Sequence, residues 1–308
     1  MTAFFTGEEI LAVAGGRIAR GTAGQVPGRL VWDLNDITEG DWFVALAKGG
    51  EDSHDSLTVA IELGAQGCIV KDRSRYCFAP PGANLIAVAD TRIALLELGR
   101  HWRDTVCKNV VTITGTVGRK DTARFIEFLL RSTYRCHIAF EQGDMGYLTD
   151  LLSMPADTEL LIVEVSGVDR GDISGAASYL QPDMAVITSI HHPIPSPRRD
   201  ARVAALNCEI LETIKDDGNG MAIVYDRNPE VQERARLLMK GVNAVYFSED
   251  TLSLSKSGLT WLSTESGLSR YEAEIEANAW CAVAASVCLG FSLAENPHIV
   301  SEVVVNAG

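Results

Sequence analysis

Gly115 and Gly118 stand between an apolar run and a helical pattern in the stretch "VVTITGTVGRKDTARFIEFLL". A strand that ends on such a turn aims backbone N–H groups and a helix N-terminus at one point, the arrangement that holds a phosphate. In a working phosphate loop a lysine reaches the outer phosphates and the Ser or Thr beside it holds magnesium. On that reading Gly115, Thr116, Gly118, Arg119, Lys120 and Thr122 bind ATP together with magnesium. The order after Gly118, however, is Arg119, Lys120, Asp121, Thr122. Asp121 takes the place of the hydroxyl, where a carboxylate repels phosphate. Shifting the frame by one residue puts Lys120 in the lysine role and still leaves Asp121 in the magnesium slot. The stretch reads equally as a glycine turn with solvated charges.

Other residue types invite chemistry. Glu164 ends the apolar run "ELLIVEV" and could ligate magnesium, or cap a helix or pair with Arg170 instead. Magnesium takes several carboxylate, phosphate or water oxygens, so one glutamate is a partial site. His191 and His192 suggest metal ligation, against a structural or surface role, since adjacent side chains point apart. Arg198, Arg199 and Arg202 could clamp an anion or belong to a solvated loop. Asn278 could touch adenine or cap a helix. No Ser-His-Asp or Cys-His set follows from spacing, so no catalytic residue is assigned.

The seven cysteines are scattered, odd in number and free of C-x-x-C pairs, which argues against a disulfide framework or zinc. A net charge of −14 without a basic tract argues against nucleic acid or an anionic membrane as partner. No apolar run reaches the roughly 18 to 20 residues of a membrane helix, and the start does not read as a signal peptide. The expected location is the cytoplasm. At 308 residues there is chain for two domains with proper cores.

The elements that must position these residues fall into two rhythms. Before residue 107, "DWFVAL", "GCIV" and "NLIAVAD" predict strands, while "SLTVAIELGA" and "TRIALLELGRHWRDTV" predict amphipathic helices. From Asn109 onward "NVVTIT", "ELLIVEV", "MAVITSI", "MAIVYD" and "NAVYFS" are continuous apolar runs between helical stretches. Strands buried on both faces look like this, so the fold class is α/β: a small N-terminal α/β domain, then a P-loop-type domain with a mostly parallel sheet flanked by helices. "TLSLSKSGLTWLS" predicts a hairpin around Ser257-Gly258, and "EIEANAWCAVAASVCLGFSL" a helix ended by Gly290.

Together these segments resemble the Mur ligases, ATP-dependent enzymes that add amino acids to peptidoglycan precursors, and within them the MurF type. "ITEGDWFVALAKGGEDSHD" is similar to the N-terminal pattern I-x-x-G-D-L-F-V-A-L-x-G-x-x-x-D-G-H-D, and "VADTRIALLELGRHWRD" to the helix leading into the central domain. "VVTITGTVGRKDT" stands where the family has A-I-T-G-T-N-G-K-T-T. "LLIVEVSGVDRGDI", "QPDMAVITSI" and "NAWCAVAASVCLGFSLAE" match further central-domain segments. The resemblance implies a MurF-like N-terminal domain over 1–107 and a central, ATPase-like domain over 108–308. The family's C-terminal domain is absent from this chain, whether lost, removed or supplied by a partner.

The resemblance also carries the chemistry position by position. The phosphate lysine aligns with Arg119 and the next two hydroxyls with Lys120 and Asp121. The metal glutamate is Glu164, and the metal histidine falls near His191, His192 or Pro193. The lysine that carries a carbamate falls near Asn207, which cannot carry one. The nucleotide-contacting N-x-D-D is "YDRN" (Tyr225 to Asn228), the His-Asn pair before Asn278 is Ala273-Glu274, and the uridine-binding D-S-R is Asp33-Leu34-Asn35. The asparagine pair is replaced around Gly143-Asp144, with Gly146 kept. Phosphoryl transfer lives on positioning and charge neutralisation, so these changes together predict a non-catalytic binding or partner subunit. It would hold a small molecule in the cleft between its domains, or join a protein partner or a second copy of itself in a homo-oligomer. The competing expectation is an active, rewired carboxylate-amine ligase that uses Lys120 with Thr122 or Glu164 and borrows the missing domain.

Overall fold

The computed structural model describes residues 3–48, 50–72, 78–141, 146–190, 197–215, 219–225, 229–239, 243–248, 251–255 and 281–290. The chain divides into two compact units: Met1–Val106 with Leu151–Ala156, and Cys107–Asp150 with Asp157–Gly308.

In the first unit the elements run α1 (Gly7–Ala14), β1 (Arg17–Arg20), β2 (Leu30–Val31), β3 (Trp42–Val44), β4 (Ala47–Lys48), β5 (Glu51–Asp52), α2 (Leu57–Glu62), β6 (Gly67–Lys71), β7 (Asn84–Val88) and α3 (Thr91–Val106). The predicted strands and both predicted helices are present. The structure adds the helix α1, which starts on a capping box: the Thr6 hydroxyl accepts from Glu9 N–H and the Glu9 carboxylate accepts from Thr6 N–H. Five strands form a sheet in the order β1-β7-β6-β3-β2, parallel except for β1 against β7. Trp42 and Phe43 on β3 are fully buried.

The turn before β3 is held by one carboxylate. Asp41 accepts from Arg29 Nε at 3.0 Å and from Thr38 N–H at 2.8 Å and Thr38 Oγ1 at 2.9 Å. Burial pushes its carboxyl up, but the hydrogen bonds from Arg29 and Thr38 outweigh burial and hold it below its ordinary value. A carboxyl depressed in the folded chain contributes stability above its unfolded pKa and loses it as pH falls through the folded value. The first unit should therefore weaken on acidification below about pH 4, and Asp41→Asn should remove part of that slope. Stability against pH for both chains, followed by hydrogen exchange in β3, checks this; parallel curves would contradict it.

In the second unit the order is β8 (Asn109–Thr114), α4 (Arg119–Leu130), β9 (Cys136–Ala139), α5 (Leu148–Ser153, whose residues from Leu151 onward count with the first unit), β10 (Leu160–Glu164), α6 (Asp172–Leu180), β11 (Met184–Ile187), α7 (Pro197–Cys208), β12 (Met221–Tyr225), α8 (Pro229–Leu238), β13 (Asn243–Ser248) and β14 (Thr251–Ser255). The sheet order is β14-β13-β12-β11-β8-β10-β9, with six strands parallel and β14 antiparallel to β13. β14 is the first part of the predicted hairpin and pairs backward with β13; the remainder of that stretch lies outside the described residues. Residues 281–288 are helical, Gly290 follows at φ 99°, and Cys281 to Ala285 pack into the core with β8, β10 and α4.

β8 is the central strand, with β10 on one side and β11 on the other. The chain leaves β8 towards β9 on one side and later crosses to β11 on the other. Open α/β sheets gather their functional loops outside the carboxyl ends of strands at such a reversal. Here those are the loops after β8, β10 and β11.

Candidate functional site

The site grows from the end of β8. Thr112 and Thr114 are wholly buried, and the chain then turns at Gly115 with φ 144° and at Gly118 with φ 76°. Gly118 occupies the N-cap of α4 in the left-handed region, which glycine enters at no steric cost. Strand, turn and helix are thus arranged as the sequence predicts.

What the loop's donors do is different. The N–H groups of Thr116 and Val117 both donate to the carbonyl of Ser189, at 3.0 and 3.4 Å, and Thr116 Oγ1 donates to it at 3.1 Å. Thr188, one residue earlier, donates its hydroxyl to Val117 O at 2.8 Å and to Thr114 O at 3.2 Å. The stretch after β11 therefore lies against the loop that follows β8 and consumes donors that a phosphate would otherwise use.

The side chains continue this pattern. Arg119 Nε donates to Glu164 Oε1 at 2.9 Å, and Arg119 Nη1 donates to the carbonyl of Gly115. Glu164, at the carboxyl end of β10, is 3% exposed and Arg119 is 25% exposed. Arg119, not Arg170, thus partners this carboxylate. Glu164 Oε2 is buried without a hydrogen-bond partner. Asn207 on α7 is buried; its Oδ1 accepts from Thr114 Oγ1 at 2.8 Å and its Nδ2 donates to Val203 O at 2.8 Å.

Lys120 turns the other way. Its Nζ lies 5.6 Å from the Phe140 ring centroid, as does the Arg124 guanidinium, the distance of a cation–π contact. Asp121 is exposed and 3.8 Å from Arg124. Thr122 is fully buried, on the inner side of α4. Asp33, at the expected uridine position, accepts from Asn35 N–H at 2.9 Å and Asn35 Nδ2 at 2.8 Å, capping its own short turn. Arg199 and Arg202 are exposed, and Arg202 pairs with Asp169 at 3.1 Å. His191, His192, Asn278, Gly143, Asp144, Ala273 and Glu274 lie outside the described residues.

Among the described residues no three His, Cys, Asp or Glu side chains gather as metal ligands. Burial pushes the thiols of Cys68 and Cys208 up to about 12, so neither is a ready nucleophile. No described helix is long and apolar enough to cross a membrane. The partners that sequence reasoning missed are Ser189, whose backbone carbonyl has no sequence signature, and Thr114, whose link to Asn207 spans 93 residues.

No family model matches the chain. It is 30% identical over 203 residues to the UDP-N-acetylmuramoyl-tripeptide--D-alanyl-D-alanine ligase of Rickettsia prowazekii, covering 64% of this chain and 43% of that protein. It is 28% identical over 190 residues to the corresponding ligase of Bacillus subtilis, covering 60% of this chain and 41% of that one. The matches span less than half the length of these curated relatives. Among solved structures, MurF from Acinetobacter baumannii superposes with a TM-score of 0.74 at 22% identity, over 99% of this chain and 68% of that one. MurF ligase from Thermotoga maritima in complex with ADP superposes with a TM-score of 0.62 at 21% identity, over 73% and 52%. At these identities the structures speak for the fold.

Proposed function

Because this chain belongs to the Mur ligase family and is MurF-like, we propose that it is a ligase-derived binding or partner subunit whose nucleotide site is closed by its own side chains. The observation that carries this reading is Arg119, which spans Glu164 and the Gly115 carbonyl within the loop.

The fit to magnesium-ATP fails on charge and on donors. A γ-phosphate needs a cation facing outward from the loop, but the Arg119 guanidinium faces inward. Its planar fork matches a carboxylate in a way a lysine ammonium does not. Magnesium would find only Glu164 Oε2 open, since Oε1 already accepts from Arg119, whose positive charge beside the site repels a cation. The hydroxyl that would complete the metal shell is Asp121, an exposed carboxylate. Asn207 uses both ends of its amide within the protein and offers no amine to carbamylate. The loop amides at Thr116 and Val117 would have to break from Ser189 before they could meet phosphate.

On this reading the scaffold serves recognition: a small molecule, a second protein or a second copy of the chain. Fold is kept while the chemistry that once used it is not. A phosphate-release assay with magnesium-ATP, with and without an active MurF-type ligase, tests it. The chain alone is expected to release none, and to leave unchanged the release per molecule of added ligase. Sustained release that disappears in Lys120→Ala would overturn the proposal in favour of a rewired ligase.

A further inference from the structure

A second feature of the second unit has no part in the loop. The α7 helix, the 209–213 turn that follows it, α8 and the loop after β10 enclose a groove of about 360 Å³. That lies within the size range of small-molecule sites. Three of the chain's exposed large apolar side chains line it: Val168 at 79%, Leu237 at 59% and Leu238 at 41% exposure. Apolar residues scattered singly over a surface need no explanation, but three around one concavity do.

The groove also carries unspent positive charge. Arg170 and Arg234 line it with no ion pair or hydrogen bond among the described residues, while Arg202 is engaged by Asp169. Of the two acids, Glu209 keeps its charge but is fixed in place by its neighbours: both its oxygens accept from Gly171 N–H at 3.0 Å, and Oε2 also accepts from Ser174 Oγ at 3.4 Å. Among the lining side chains three arginines stand against the two glutamates. In a chain of net charge −14, a concavity with an excess of cation and apolar walls is selective by its chemistry.

We propose that this groove binds a small organic anion with an apolar body, its carboxylate or phosphate held by Arg170 and Arg234 and its body on Val168, Leu237 and Leu238. The site is independent of the nucleotide loop, so its failure and the failure of the proposed function are separable.

Anilinonaphthalene sulfonate, an apolar ring system bearing one anionic group, is the probe. Fluorescence titration should show one saturable site per chain, weakened by salt. Octanoate and octyl phosphate should displace the probe while octanol does not, and their relative strength tells which head group the arginines prefer. Losing charge-assisted hydrogen bonds of about 1.5–3 kcal/mol predicts at least tenfold weaker binding in Arg170→Ala/Arg234→Ala. Both arginines are exposed, so circular dichroism and melting should not change. Glu212→Gln should bind more tightly, a gain that no loss of structure would produce. Equal affinity in the double-arginine variant, displacement by octanol, or no saturable binding would each overturn the proposal.

Discussion

Replacing Arg119 by alanine is expected to destabilise the second unit by about 3 kcal/mol, the low end of what breaking a buried ion pair costs. The low end applies because Arg119 is 25% exposed although Glu164 is only 3% exposed. The loss is large because Glu164 cannot follow its partner into water. It sits at the end of β10, where Glu164 pairs in register with Ile113 of β8, and Oε2 already lacks a donor. Without the guanidinium, a carboxylate is left uncompensated beneath the loop. The chain Arg119→Met/Glu164→Leu removes both charges and should recover at least about 1 kcal/mol relative to the sum of the single changes. Urea denaturation of the three variants reads this coupling. Additive losses would mean that the two side chains are neighbours without being partners.

The second large effect belongs to Gly115. A Cβ at this position would lie 2.0 Å from Thr188 Oγ1 and 3.1 Å from Thr188 Cβ, at a φ of 144°. Gly115→Ala should therefore cost about 3 kcal/mol, from a backbone conformation closed to L side chains together with overpacking. Adding Thr188→Ala should return only part of that, because it clears the oxygen and leaves the backbone strain. Gly118→Ala, at φ 76°, should cost about 1–2 kcal/mol, the strain of the left-handed region alone. Equal losses at both glycines in urea melts would contradict this account of how closely the stretch after β11 packs on the loop.

Much of the scaffold was legible because burial on both faces leaves a mark that composition cannot hide. The runs "NVVTIT" and "NAVYFS" are β8 and β13 residue for residue, and the apolar spacing of Thr91–Val106 is α3 from end to end. The turn at Gly115 and Gly118 was legible for the same kind of reason: the left-handed region is nearly reserved for glycine. The partners of the charged residues were not legible. Arg119 meets a glutamate 45 residues away, and the sequence offered Arg170 as an equally good partner. Thr188 and Ser189 engage the loop through their position after β11, and the Ser189 carbonyl carries no residue-specific signal at all. Asn207 stood out as unable to carry a carbamate, but its hydrogen bond to Thr114 exists only once β8 and α7 are brought together. Sequence thus showed which groups had changed, and the folded chain shows where their hydrogen bonds go.

The most direct test is the melting temperature of the intact chain titrated with magnesium-ATP. A ligand at a hundred times its dissociation constant would stabilise the folded chain by about 2.7 kcal/mol, an easily measured upward shift. Since Arg119, Glu164 and the amides of Thr116 and Val117 are engaged within the protein, the expected result is a melting curve that does not move. A saturable rise that requires magnesium and vanishes in Gly115→Ala would contradict it.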